Sequence, residues 1–437
     1  MSASKALAIT VVCAVGACSD DDIRAVAGGA PAVACPPGFA DCDDDPGNGC
    51  EGALETSVDQ CGACGRTCIA GPNAIAVCSA GDCADVCELG FGDCDGDPAN
   101  GCERDLRTDL EHCGACSHGC TSACDSGACD LEVLADGQVG ASFLLDEGDA
   151  LVWVSRGSEE PGEADGAIRR IAKAGGAITT IAANQRRPTG IAALGEEVVW
   201  ASYGDGGVAN GAILRAPKTG AGPIVVVVEG IRTPVNVVLD EGWVYWSSFG
   251  SGPRSSDGGV FRRSLDAAEA PVEELAGGES LPFGLAVDET HLYWTSFGLG
   301  ESTSSVKRLP KRAAVGTRPE AVVTRVAGAS HPWSDGSGVL FGYHGVIARI
   351  DPASGEARPV LRGAMRPFRL WRTGEELHWT TLAPGGPIES STPAGPVVSR
   401  GTGPHFPYDL VVDDKHIYWT SIATERGGPG ALLRMAR

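Results

Sequence analysis

After Cys129 the sequence contains no cysteine: all 18 cysteines of the 437-residue chain lie between Cys13 and Cys129. The remaining 300-odd residues must hold together by burial and hydrogen bonding alone. Basic residues are scarce in the cysteine-bearing part. From Ser19 to Asp130 there are four Arg and no Lys against 22 Asp and Glu, whereas Leu131 onward carries 29 basic and 35 acidic residues. A surface that negative repels phosphate backbones and anionic lipid, which argues against nucleic acid as a partner. Past the N-terminus no run is apolar enough to span a bilayer, which takes about 20 residues. Gly-x-Ser-x-Gly, His-Glu-x-x-His and phosphate-binding loops are absent too, so the common hydrolase, zinc-protease and nucleotide signatures are missing. What the chain does have is 43% apolar residues, enough to fill real cores.

Lys5 precedes an apolar run from Ala6 to Val15, short enough for a signal-peptide core. It ends in Val15-Gly16-Ala17-Cys18, which resembles the bacterial lipobox. The resemblance implies a signal over residues 1–18, with Cys18 lipidated as the mature N-terminus, and an ordinary secretory signal is the alternative. Ser19 at the next position implies passage to the outer membrane, with the protein periplasmic or surface-exposed. Residues 19–34 form an acidic, Ala/Gly-rich linker, and membrane contact is expected through the lipid only.

Two cysteine-rich repeats follow, at 35–86 and 87–129, with a period of 52 residues. Cys35, Cys42, Cys50, Cys61, Cys64 and Cys68 recur as Cys87, Cys94, Cys102, Cys113, Cys116 and Cys120, and each copy adds a pair, Cys78/Cys83 and Cys124/Cys129. Eight cysteines per copy in an exported chain is the arithmetic of a disulfide scaffold. Each copy has too few Leu, Ile, Val and Phe to bury a core of its own. Connectivity does not follow from spacing. Zinc is the rival, because Cys61, Cys64 and Cys68 have ligand-like spacing. The turns also offer hard oxygens from Asp43, Asp45 and Asn48, and from Asp95, Asp97 and Asn100, as a calcium reading beside the plainer one of Asx-rich turns. No other cofactor is expected. The repeat resembles tandem Cys-rich modules of secreted myxobacterial proteins, which informs location more than function.

From residue 130 to 437 a different unit recurs. Pro188 to Trp200, Pro234 to Trp246, Pro282 to Trp294, Pro367 to Trp379 and Pro407 to Trp419 are each twelve residues apart, and Ala141 to Trp153 keeps the spacing without the proline. A copy from Pro332 to Phe341 reads as shortened by three residues. Seven units of four short strands predict a mostly β chain and a seven-bladed β-propeller, six or eight blades being the alternatives. The final unit lacks a strand, which Leu131 to Ala135 is placed to supply. Val244-Tyr245-Trp246-Ser247, Leu292-Tyr293-Trp294-Thr295 and Ile417-Tyr418-Trp419-Thr420 resemble the YWTD repeats of low-density-lipoprotein-receptor propellers and related TolB-like and NHL-like propellers. Where that pattern has Asp, this chain has Ser155, Ser202, Ser248, Ser296, Thr381 and Ser421, so receptor-type ligands do not carry over. The tryptophans read as packing between blades.

The crossovers between blades place Arg187, Arg232, His331, Arg366 and His405 just before the inner strands, predicting a cationic channel mouth for a small anionic ligand or an acidic protein segment. The plainer reading is solvated loop residues. His331 and His405 also make a propeller lyase or hydrolase, similar to virginiamycin B lyase or the lactonases, the alternative to a binding protein. A calcium-dependent adhesion element is the third reading. His291, His378 and His416 flank the Trp strands as packing or turn residues.

Overall fold

A computed structural model of the chain describes residues 35–437 apart from 44, 46–48, 98–99, 118–119, 121–122, 126, 130, 159, 161, 207, 252–254, 268, 299–302, 327, 337, 344, 394, 403–404 and 424–427. Cys18 and Asn48 thus lie outside the described residues, as does the side chain of Cys129. The chain forms two compact units, divided between Val86 and Cys87.

In the first unit the cross-links replace a core. Cys35 pairs with Cys50, Cys42 with Cys64, Cys61 with Cys78 and Cys68 with Cys83. Among the described residues its buried side chains are the half-cystines Cys61 and Cys68. The second repeat has the same pattern, with Cys87 to Cys102, Cys94 to Cys116 and Cys113 to Cys124, and Cys120 is disulfide-bonded as well. These pairings leave no thiolate set for zinc among the paired cysteines. A native disulfide in so small a domain contributes about 2–5 kcal/mol, whereas the propeller has none to lose. Reduction under native conditions is therefore expected to unfold residues 35–86 while the near-ultraviolet circular dichroism of the buried tryptophans persists. Loss of the tryptophan signal on reduction would refute this independence.

The second repeat belongs to the second unit, and its Ala128–Cys129 strand lies along Val398–Thr402, an outer strand of the propeller. Two glycines make the approach close: a Cβ on Gly114 would stand 3.4 Å from the Ser399 carbonyl, and one on Gly127 would stand 3.6 Å from Thr402 Oγ1.

Seven antiparallel four-stranded sheets make the propeller. We number the blades in chain order: 141–185, 188–231, 234–279, 282–326, 333–362, 367–402 and 406–436. The last has three strands from the C-terminus, and Glu132–Val139 completes it, pairing with Pro429–Ala436 through Leu432 to Ala135 and Leu433 to Val133. The outer strand of blade 2 is Val225–Ile231.

The constant twelve-residue spacing has a geometric cause. Each proline begins the inner strand and pairs with the Ser or Thr that ends the second strand, as Pro188 with Ser202 and Pro234 with Ser248. After a one-residue bulge the next inner residue pairs with Trp, as Ile191 with Trp200 and Val237 with Trp246. The hairpin length fixes the interval. Each Trp is fully buried against the preceding blade: Trp200 among Val152, Val154 and Ile168, and Trp246 among Val199, Ala201 and Ile213. Trp153 packs on Val411, Tyr418 and Leu432 of blade 7, closing the ring. The hydroxyls standing where YWTD repeats have Asp seal the crossovers. Ser202 Oγ donates to the Arg186 carbonyl at 2.8 Å, Thr381 Oγ1 to Met365 at 2.9 Å, and Ser248 Oγ to Arg232.

Blade 5 corrects the sequence reading. Trp333 pairs with Leu340, and Ser330 N–H donates to the Gly342 carbonyl at 2.7 Å, so Ala329 occupies the proline position and Phe341 the Trp position. The twelve-residue spacing is intact, and Pro332 stands three residues after the proline position, immediately before the strand Trp333–Ser334. Phe341 is fully buried against Tyr293 and Val306 of blade 4, where a Trp would sit.

Candidate functional site

In an antiparallel blade the crossover from strand four and the hairpin between strands two and three emerge on one face. Four of the five expected mouth residues lie there. Arg187 and Arg366 directly precede the inner-strand prolines with φ of 45° and 41°, while Arg232 and His405 sit one position earlier. Hairpin carboxylates stand beside one of these cations and beside the neighbouring Arg186. Arg232 lies 3.6 Å from Asp257, and Asp205 pairs with Arg186 at 3.2 Å. Hydrogen bonds from Ser255 and Ser251 hold the Asp257 carboxyl down to about 2, so it is charged at neutral pH. The Arg187 guanidinium stands 5.9 Å above the Tyr203 ring. Just inside this mouth aromatic rings pack together, Phe283 stacked on Phe297 at 5.0 Å and on Phe249 at 6.1 Å, and Phe368 edge-to-face with Tyr408 at 5.2 Å.

His331 is elsewhere. The corrected register places it two residues after Ala329, just ahead of the short inner strand Trp333–Ser334, at the level of the ring formed by Phe143, Gly190, Asn236, Gly284, Arg369 and Asp409 on the other blades. This ring is the floor of a cavity of about 350 Å³ in the central channel. The walls are inner-strand side chains, and exposure rises toward Ala193, Ser334 and Trp371, so the cavity opens on the face opposite the crossovers.

Four polar side chains meet on the floor, each less than 10% exposed. Arg369 Nη2 lies 3.2 Å from Asp409 Oδ2, and its guanidinium stacks 4.6 Å above the Phe143 ring. Asp409 also accepts the Leu144 N–H at 3.0 Å, bridging blade 7 to blade 1. Burial pushes the Asp409 carboxyl up and Arg369 opposes the rise. His331 Nδ1 stands 3.1 Å from the Pro332 carbonyl, which can only accept, so that nitrogen carries the proton. Nε2 is left as the acceptor for Asn236 Nδ2. Burial, aided by the nearby Arg369 charge, holds the imidazole well below its ordinary value, and it is neutral. The reach from blade 5 to blade 3 passes Gly284, where a Cβ would come within 2.9 Å of His331 Cγ. Arg369 Nε is buried and has no acceptor among the described residues. Both open and committed bonds therefore face one small space.

Asn236, Arg369 and Asp409 were missed in the sequence although they stand two residues after their prolines, a column the Pro-to-Trp register already defines. His378 occupies the position of Tyr245, Tyr293 and Tyr418 and is fully buried; burial lowers its imidazole to about 4. His291 and His416 sit at turns, their N–H groups held by Asp288 and Asp413 at 2.8 Å.

In the cysteine-rich repeats, Asp95 forms an Asx turn, accepting the Asp97 N–H at 2.9 Å and Asn100 Nδ2 at 2.9 Å. The carboxylates that converge within 4.8 Å are Asp41, Asp43 and Glu51, and in the second copy Asp93, Asp95 and Glu103. Asp45 and Asp97 are not part of these groups.

No family model matches the chain, and no curated protein does. Solved structures align to it at low identity. A chain of the nidogen/laminin complex aligns at TM-score 0.41 with 14% identity, covering 56% of this chain and 95% of that one. Puromycin hydrolase complexed with PGG aligns at TM-score 0.49 with 16% identity over 65% of this chain, which spans 50% of the hydrolase. A computationally designed protein, Ika8, aligns at 0.46 with 12% identity, over 69% of this chain and 98% of its own.

Proposed function

We propose that this chain is an exported binding protein, anchored by a lipid on Cys18, whose propeller holds a small ligand in the central channel. The observation that carries this reading is the convergence of Asn236, His331, Arg369 and Asp409 on the floor of a 350 Å³ cavity that is otherwise apolar and opens to solvent. Apolar walls with a few placed polar groups are what a ligand site needs. Disulfides throughout the first repeat support export, since they persist in oxidising compartments. An anion at the crossover mouth has weaker support, because a hairpin carboxylate already meets Arg232 and another meets Arg186 beside Arg187. So has acid–base catalysis by His331 and His405. They lie at different levels of the channel, and both nitrogens of His331 are committed.

The test uses Ala193, exposed at the cavity opening. The Ala193→Trp variant is expected to keep the wild-type melting temperature and to lose, by tenfold or more, small molecules that the wild-type protein retains from a cell extract, read by mass spectrometry. Equal retention by both proteins would sink the channel reading. The anchor is tested by metabolic labelling with an alkynyl fatty acid, where label persisting in Cys18→Ala would rule it out.

A further inference from the structure

We propose that the channel binds a neutral saccharide residue, an inference that rests on the channel reading and narrows it to a ligand class. Charge comes first. Arg369 is the cation of the floor and Asp409 already balances it at 3.2 Å, so the site is electrically neutral. A carboxylate or phosphate would have to compete with Asp409 for the guanidinium while being repelled by it in a poorly screened space. A wholly apolar ligand fails for the opposite reason. It would leave Asn236 Oδ1 and Arg369 Nε buried without a hydrogen-bond partner.

Hydroxyl groups satisfy both sides at once, since each donates and accepts. Asn236 Oδ1 is an open acceptor, because its amide nitrogen is the part engaged by His331, and Arg369 Nε is a donor lacking an acceptor among the described residues. At the open end the chemistry changes. Trp333 and Trp371, on neighbouring blades, are half-buried with ring centroids 5.9 Å apart and planes tilted by 47°. Unlike the fully buried tryptophans of the repeat, they line the cavity as well as pack between blades, Trp333 on the cluster of Leu340, Leu370 and Trp379 and Trp371 on that of Leu410 and Trp419. Indole faces at such an angle suit the C–H faces of a sugar ring. The rim beside them is again charge-paired, with Arg372 3.2 Å from Asp335. Neutral polar floor, aromatic lip and balanced rim agree on a ligand with alternating apolar faces and hydroxyl edges.

The experiment presents full-length protein to a printed array of glycans ending in neutral hexoses, in uronic acids or in sialic acid, followed by calorimetry with the soluble form of the strongest hit. The expected result is binding to neutral termini, weakened at least tenfold in Trp333→Ala and largely restored in Trp333→Phe, with melting temperatures recorded for each. Should the alanine variant not fold, Ala193→Trp replaces it, with the same expected loss. Binding confined to acidic glycans but abolished by Ala193→Trp overturns the neutral class and leaves the channel reading standing. Glycan binding that survives Ala193→Trp overturns both. No binding to any glycan overturns the saccharide inference, and retention of extract molecules then decides the channel separately.

Discussion

A chain beginning at residue 141 is expected to lose the cooperative unfolding of its propeller, although it lacks only one strand of the ring. Glu132–Val139 pairs along Pro429–Ala436 and is the fourth strand of blade 7. Ala135 is buried in a cluster with Leu144 and Trp153 of blade 1 and Val411, Tyr418 and Leu432 of blade 7, and Arg434 holds Glu132 at 2.6 Å. Removing the strand strips these groups from both sides of the seam and exposes a sheet edge in a fold that otherwise closes on itself. Without closure each blade stacks on one neighbour fewer, and the loss approaches the whole stability of a domain, about 5–15 kcal/mol. Thermal unfolding followed through the buried tryptophans measures it. A melting temperature within a few degrees of the parent chain would show that blade 7 stands on three strands.

This seam was legible in the sequence because it answers a counting question: six complete units and one lacking a strand. Other features were legible for the same reason. A Pro-to-Trp interval set by hairpin length leaves one register, and eight cysteines per repeat leave one redox state. Blade 5 was misread because Pro332 imitates the repeat's proline. The true position is held by Ala329, and the packing that identifies it, Phe341 against Tyr293 and Val306, exists only once the blades are stacked. That three-residue error moved His331 from the channel wall to the mouth. The disulfide pairing was not legible at all, since spacing along the chain says nothing about which sulfurs meet.

The site was half hidden for a different reason. Loop cations draw attention as solvent-facing charge, yet in the structure hairpin aspartates accompany Arg186 and Arg232. Asn236, Arg369 and Asp409 lie inside strands that read as apolar, where one polar residue looks like noise. What distinguishes them is a shared position in the register. A ring architecture turns one column of the repeat into one level of the channel, and so gathers residues more than 170 positions apart in sequence, such as Asn236 and Asp409.

The floor of that channel carries the second large effect. Arg369→Met is expected to destabilise the propeller by about 3–5 kcal/mol at neutral pH, because it leaves Asp409 buried without its counter-charge. The loss should shrink on acidification, for two reasons of the same sign. Burial raises the Asp409 carboxyl above its unfolded value near 3.8, and without Arg369 nothing opposes the rise. A carboxyl raised by folding contributes stability that is present at low pH and lost as pH rises through the folded value. His331 has the opposite shift: its imidazole is depressed below 6.5, so its contribution is present above 6.5 and lost as pH falls. Removing the Arg369 charge relieves part of that depression, so the variant loses less at acid pH than the parent does. Urea unfolding of both proteins between pH 8 and 5 reads the difference, and a destabilisation constant across that range would contradict the electrostatic account. The double variant Arg369→Met with Asp409→Asn separates fold from function. Removing both charges is expected to return stability to within about 1 kcal/mol of the parent, as replacement of a buried pair often does, while ligand retention stays lost. If the double variant instead remains as unstable as the single one, the pair is there to hold blades 6 and 7 together. Recovery without binding would mean that the chain keeps a buried charge pair in its channel for what the channel holds.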